Sequence, residues 1–280
     1  DSVPNDTRLT DALQRRTFIG SMPRPTAART VLAVLGALLV LFIVGPLLKL
    51  LVSTSPGGIL AALADRELCE SILLTGITAT LATACAVGFG VPLAWLLARA
   101  RFPGRGLVEA LVDLPVVVPH PVAGIALLLF LGRHSTVGGA LAHLGLEFVS
   151  HVPGIVAAML FVSVPIVVSG AREAITAVDP HLERVARTLG DGPWRAFRRI
   201  TLPLAGRGIV AAAVLGWARA VSEFGAIVIL TYHPRVASVL IYDRFTTDGL
   251  GAAVPAALVL LLLALAVFGV VRLLQPADHR

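Results

Sequence analysis

Charge is scarce in this chain. Of its 280 residues only 14 % are Asp, Glu, Lys or Arg while 56 % are hydrophobic, and the mean hydropathy is +0.87. Soluble domains carry about 25 % charge and about 45–50 % apolar residues. The composition therefore excludes a disordered chain and argues against an ordinary soluble domain. Cysteine is also scarce. Cys69 and Cys85 are the two present, which excludes a disulfide-rich scaffold. Both fall in one expected helix, roughly 24 Å apart and too far to bridge, so they read as small apolar fillers. Lysine occurs once, at Lys49, and no Gly-x-x-x-x-Gly-Lys-Ser/Thr loop exists, so P-loop ATP chemistry does not reside on this chain. His134, His143 and His151 are spaced by nine and eight residues, which is a poor metal pattern.

What is abundant is long apolar sequence. Crossing a bilayer as a helix takes about 20 predominantly apolar residues. Six segments meet that requirement, over 31–52, 71–98, 107–132, 153–176, 204–230 and 250–274. The expectation is an all-α polytopic membrane protein with six transmembrane helices. The third segment contains Pro115, Pro119 and Pro121, so it is expected to be bent or partly unwound and packed among neighbours that satisfy its freed backbone groups. Gly88, Gly90, Gly124, Gly216 and Gly225 read as sites of close helix packing.

The formal charge of +6 has a place in this layout. Seventeen of the twenty-three basic residues fall in four stretches that an even number of spans puts on one side. These are the tail over 1–30, the connection at Arg99, Arg101 and Arg105, the connection between the fourth and fifth segments, and the C-terminus. By the positive-inside rule both termini are expected in the cytoplasm, with anionic lipid rather than nucleic acid as the partner of the charge. Arg15 and Arg16 in the tail do not read as an export signal, because the apolar run starts only at Val31 and continues too far.

The connection over 178–203 is the most informative stretch. Asp179 is a good N-cap and Pro180 a good first helical residue. Leu182, Val185, Ala186 and Leu189 follow as an apolar stripe, and Gly190 sits where a C-terminal cap belongs. Gly192-Pro193 starts a second short helix carrying Trp194 and Phe197. A helix–glycine–helix knob of this kind fits either a groove on another protein or the surface of anionic lipid.

The run Glu183-Arg184-Val185-Ala186-Arg187-Thr188-Leu189-Gly190, then nine residues, then Ile200-Thr201-Leu202-Pro203 resembles the cytoplasmic signature of ABC importer permeases. That signature is Glu-Ala-Ala, three residues, Gly, nine residues and Ile-x-Leu-Pro. Arg184 and Val185 stand in the Glu and first Ala places and Glu183 is displaced by one, so the resemblance does not carry a specific ion pair of the signature acid over to this chain, while the helix–Gly–helix layout is kept. Leu114-Pro115, Pro119 and Gly124 are similar to the same superfamily. The run Ala218-Arg219-Ala220-Val221-Ser222-Glu223-Phe224-Gly225-Ala226, with Tyr232-His233-Pro234 and 240–244, resembles the molybdate/tungstate permeases.

The resemblance, which covers about 67–275, implies a homodimer of six-helix subunits in the type I importer fold. It implies that the chain is not itself an enzyme. ATP and Mg²⁺ would sit on a separate cytoplasmic ATPase, docked on Asp179, Leu182, Glu183, Arg184, Val185, Ala186, Leu189, Gly190 and Pro203. A separate extracellular protein would deliver an oxyanion, with sulfate or thiosulfate as the alternative to molybdate or tungstate. A secondary transporter is the competing class, but it would more often show internal repeats and ion-binding residues in several spans, and neither is present.

Arg219 and Glu223 are one turn apart in the fifth segment, near its middle, with Ser222 beside them. Each charge facing lipid there would cost roughly 2.5–3.5 kcal/mol, so both should face the bundle or a watery path and can pair with each other. They read either as a structural ion pair or as part of the translocation path, where Arg219 would shape the potential that an oxyanion meets. His120, between two prolines, reads as a hydrogen-bonded packing residue.

Overall fold

A computed structural model describes residues 27–274 of the chain. The polar tail expected over 1–30 lies outside the described residues up to position 26, as does the C-terminus beyond 274.

The chain divides into two units, residues 1–53 and 54–280. The first contributes one helix, α1 (Ala27–Val52), with Pro46 inside it. Apart from Gly45 and Leu50, its described side chains are exposed, including Leu38, Leu41 and Phe42. A helix that is apolar on every side suits lipid, and 26 residues are long enough to cross a bilayer with some tilt.

The second unit holds the remaining helices. They are α2 (Pro56–Leu63), α3 (Arg66–Arg99), α4 (Arg105–Val117), α5 (His120–Leu131), α6 (Thr136–His143) and α7 (Val152–Thr176). After these come α8 (Pro180–Thr188), α9 (Pro193–Ala196), a π-helical turn (Phe197–Thr201), α10 (Leu202–Val221), α11 (Gly225–Leu230), α12 (Ala237–Asp248) and α13 (Leu250–Leu274). Among the described residues, five helical stretches are long and apolar enough to cross a membrane, or six if the bent pair α4–α5 is taken as one span.

The long helices α3, α7 and α10 pack together through small residues. Gly90 lies against Val168, Gly170 against Ala212, Gly208 against Ala174, and Gly216 against Val167. Inside lipid the hydrophobic effect does not hold helices to one another, so close backbone approach at small residues has to supply the contact. Gly88 departs from the expectation: nothing lies within 4 Å of the position its Cβ would take, because it faces outward beside the exposed Phe89.

Two apolar cores stack along these helices. One contains Val91, Leu97, Val168, Ile175, Phe197 and Ile209, near the α8 end. The other contains Ala79, Ala123, Met159, Ala220, Ile227 and Val239, toward the opposite end.

Two of the expected spans are broken. Helices α4 and α5 meet at 116°. Val118 and Pro119 are extended there, because Pro119 disfavours helix at the residue before it and neither Pro119 nor Pro121 has an N–H to donate. Pro115, by contrast, is accommodated inside α4. The segment expected as one helix over 204–230 ends at Val221 and restarts as α11 at Gly225. Cys69 is exposed near the start of α3, while Cys85 is half-buried within it.

A clasp of charges closes the end of the bundle away from α8. Asp65 caps α3 by accepting from the Glu67 and Leu68 amides and pairs with Arg244 of α12 at 2.6 Å. Arg235 joins Asp243 to Glu67, and Tyr232 donates to Asp243. Burial pushes the Asp65 carboxyl up. The hydrogen bonds from Arg244 and from the two amides outweigh burial and hold it below the ordinary carboxylate range. Stability from this group is therefore present above the ordinary Asp value of about 3.9 and lost as pH falls through the depressed one.

Two predictions follow from the packing and the clasp. In Gly124→Val the new Cβ would meet the Ala226 carbonyl oxygen at 2.9 Å, a backbone atom that cannot swing aside. Thermal unfolding of the purified protein should show a loss of about 1–3 kcal/mol, while Gly88→Val should be close to neutral. Melting curves taken through the acid range should show a fall in stability below about pH 4 that is smaller in Arg244→Gln.

Candidate functional site

The knob between α7 and α10 forms as its sequence directs. The Asp179 carboxylate accepts the His181 amide at 2.8 Å. Gly190 takes φ +96°, its amide donates to the Arg187 carbonyl, and the Asp191 amide donates to the Ala186 carbonyl. Those two bonds make a Schellman cap, and a side chain at Gly190 would strain the left-handed backbone it needs. Phe197 is buried between the rings of Trp95 and Trp194, with centroids 5.5 and 5.4 Å away. Pro203, exposed in the first turn of α10, cannot donate a helical hydrogen bond. The turn before it widens to a π-helix in which the Leu202 amide reaches the Phe197 carbonyl.

The predicted stripe splits into two faces. Leu182 and Val185 are each 43 % exposed and Leu189 is 83 % exposed, alongside the exposed Arg184 and Trp194. Ala186 is buried against its own subunit and so does not belong to the outer face.

Glu183 makes the ion pair that the resemblance alone left open. Its Oε1 lies 2.9 Å from Nε of Arg99, with both side chains largely buried, and also accepts the Thr201 hydroxyl. Arg99 in turn donates to the carbonyls of Ile175 (3.0 Å) and Val178 (2.7 Å) at the end of α7. The one-residue displacement is the reason. Glu183 and Arg184 lie about 100° apart around α8, so Glu183 faces the bundle and Arg184 faces solvent. Arg99 and Thr201 were missed at the sequence level, where Arg99 counted only toward topology.

The second cluster lies where the two broken spans meet. Arg219 is close to the end of α10 rather than in the middle of a continuous helix. The Trp217 indole N–H donates to Thr80 Oγ1, which places it level with the middle of α3. Arg219 Nη2 lies 2.9 Å from Glu223 Oε2, as the spacing predicted, although Glu223 is outside the helix. Glu223 is 1 % exposed and its other oxygen accepts the Ala226 amide at 2.8 Å, capping α11. Its backbone carbonyl accepts the Ser238 hydroxyl. Ser222 Oγ accepts from Arg219 Nη1 at 3.2 Å.

His120 is not a mere packing residue. Its Nε2 lies 2.7 Å from Arg219 Nη2, and its Nδ1 lies 3.7 Å from Glu223 Oε2. A guanidinium only donates, so the imidazole nitrogen facing it must be unprotonated. His134, His143 and His151 belong to no group of three metal-ligating side chains among the described residues.

Residues 90–277 match the family model of the binding-protein-dependent transport system inner membrane component. The chain is 41 % identical over 242 residues to the molybdate/tungstate transport system permease protein WtpB of Thermococcus kodakarensis, covering 86 % of this chain and 93 % of that one. It is 41 % identical over 158 residues to the molybdenum transport system permease protein ModB of Escherichia coli K12, covering 56 % and 69 %. Its fold superposes on a bacterial ABC transporter that imports the acidic polysaccharide alginate, with a TM-score of 0.68 at 19 % identity over 95 % of this chain and 98 % of that one. The chain belongs to the binding-protein-dependent transport system inner membrane component family, with the fold of type I ABC importer permeases. It is a multi-pass membrane transport component and not an enzyme.

Glu183→Ala leaves the Arg99 guanidinium without its carboxylate and should lower stability by on the order of 3 kcal/mol, measured by thermal unfolding. Arg184→Ala, on the solvent side, should leave the melting temperature unchanged.

Proposed function

We propose that this chain is the translocating subunit of an ATP-driven importer of molybdate or tungstate, working as a homodimer. The observation that carries the cargo assignment is the identity to WtpB over nearly the whole length of that permease. Both termini lie in the cytoplasm, which is supported by the seventeen basic residues of twenty-three on that side. A partner ATPase holds ATP and Mg²⁺ and receives the exposed face of the knob, formed by Leu182, Arg184, Val185 and Leu189, with Asp179, Gly190 and Pro203 shaping it. Ala186 and Glu183 seat the knob on its own subunit. An extracellular binding protein delivers the ion, and the spans rock between outward-open and inward-open states as the ATPases close. Arg219 and Ser222 lie on the translocation path, with Glu223 buried behind them as the partner of Arg219.

The test is uptake of labelled molybdate into proteoliposomes holding this chain, its ATPase and its binding protein. ATP-dependent uptake should be competed strongly by tungstate and weakly by sulfate. Stronger competition by sulfate would reassign the cargo, and uptake independent of ATP would overturn the reading. Gly190→Val should cut coupled uptake while the protein stays in the membrane.

A further inference from the structure

We propose that Arg219, positioned by His120 and Ser222, forms a low-affinity binding site for a tetrahedral oxyanion where the two broken spans meet. The proposal rests on the importer reading and adds a place within the membrane where the cargo pauses.

The first support is the backbone. The break at Val118–Pro119 and the break at Ser222–Phe224 converge: a Cβ on Gly225 would come within 2.7 Å of His120 Cβ, and Gly124 of α5 abuts Ala226 of α11. Non-helical backbone at membrane depth is tolerated where it is buried in protein or lines a watery cavity. The side chains here are not sealed off. The His120 side chain is 46 % exposed and that of Arg219 is 24 % exposed. A guanidinium facing acyl chains would be costly, so this exposure belongs to an aqueous opening rather than to lipid.

The second support is the donor count. Arg219 has five N–H bonds. Nη2 serves His120 and Glu223, and Nη1 serves Ser222. The Nε–H and the second Nη1–H have no partner among the described residues. Glu223, by contrast, is fully occupied and buried, with one oxygen on Ala226 and the other on Arg219. The open side of the cluster therefore presents the free guanidinium N–H groups, while the Ser222 hydroxyl, which donates to the Arg219 carbonyl at 2.9 Å, and the His120 imidazole hold the guanidinium in place. A tetrahedral oxyanion offers four acceptors and no donor, which is the complement of that surface. Helix α5 starts at the same point without a side-chain cap, adding its positive end.

The third support is the charge balance. Glu223, 2.9 Å away, offsets the charge of Arg219, so the attraction for a dianion is modest. An ion that must leave again requires that weakness.

Tungstate is the probe, applied to the permease–ATPase complex in nanodiscs without the binding protein. Millimolar tungstate should raise the melting temperature above that in chloride of equal ionic strength. Arg219→Gln should abolish the rise and lower uptake in the full system by about tenfold. His120→Gln, which breaks no ion pair, carries the test if Arg219→Gln fails to assemble: it should shrink the tungstate-dependent rise and lower uptake several-fold, with its tungstate-free melting temperature unchanged. A wild-type complex without a tungstate-specific rise, or His120→Gln with wild-type rise and uptake, overturns the site. A tungstate-specific rise in a complex that fails to import any oxyanion supports the site while refuting the cargo assignment.

Discussion

The fold turns on one buried carboxylate. Glu223 sits where a membrane span has stopped being helical, in surroundings that supply little water to satisfy free backbone groups. One oxygen accepts the Ala226 amide and starts α11, the other holds Arg219, and its main-chain carbonyl receives Ser238 from α12. Three elements thus share one residue. Without it the buried Ala226 amide would lose its acceptor, at a cost of about 1–3 kcal/mol, and Arg219 would lose its carboxylate.

Around that point the subunit is organised as two stacked cores threaded by α3, α7 and α10. The knob belongs to one core through Phe197 and through the Arg99–Glu183–Thr201 contact. Helices α5 and α11 belong to the other. The bend at Pro119 joins α4, tied to α7 by the Glu109–Arg172 pair, to α5, packed on α11 through Gly124. The knob and the intramembrane charges are thus linked through packed helices, with the two breaks in the backbone lying between them.

Much of this was legible in the sequence because its causes are local. Apolar runs delimit spans, Asp179 and Pro180 start α8, and Gly190 ends it through a backbone conformation that glycine favours. What was not legible depends on residues far apart along the chain. His120 meets Arg219 across 99 positions and Glu183 meets Arg99 across 84, so neither pairing leaves a spacing signal. The stop at Val221 was missed because no proline causes it: a side chain bonding three residues ahead does, with help from Ser238. The family signature left the partner of Glu183 open, since a shift of one residue turns a side chain by about 100° and exchanges which charge faces inward.

The broken spans also alter the dielectric profile through the protein. Neither α4, at 13 residues, nor α5, at 12, is long enough to cross about 30 Å of hydrocarbon alone. Water entering from either side needs to reach only the elbow between them. For a doubly charged cargo of the kind proposed above, the low-permittivity stretch to be crossed would then be a fraction of the bilayer thickness. Because ionic self-energy in such a medium is so large, thinning that stretch does more to lower the barrier than any single ligand would.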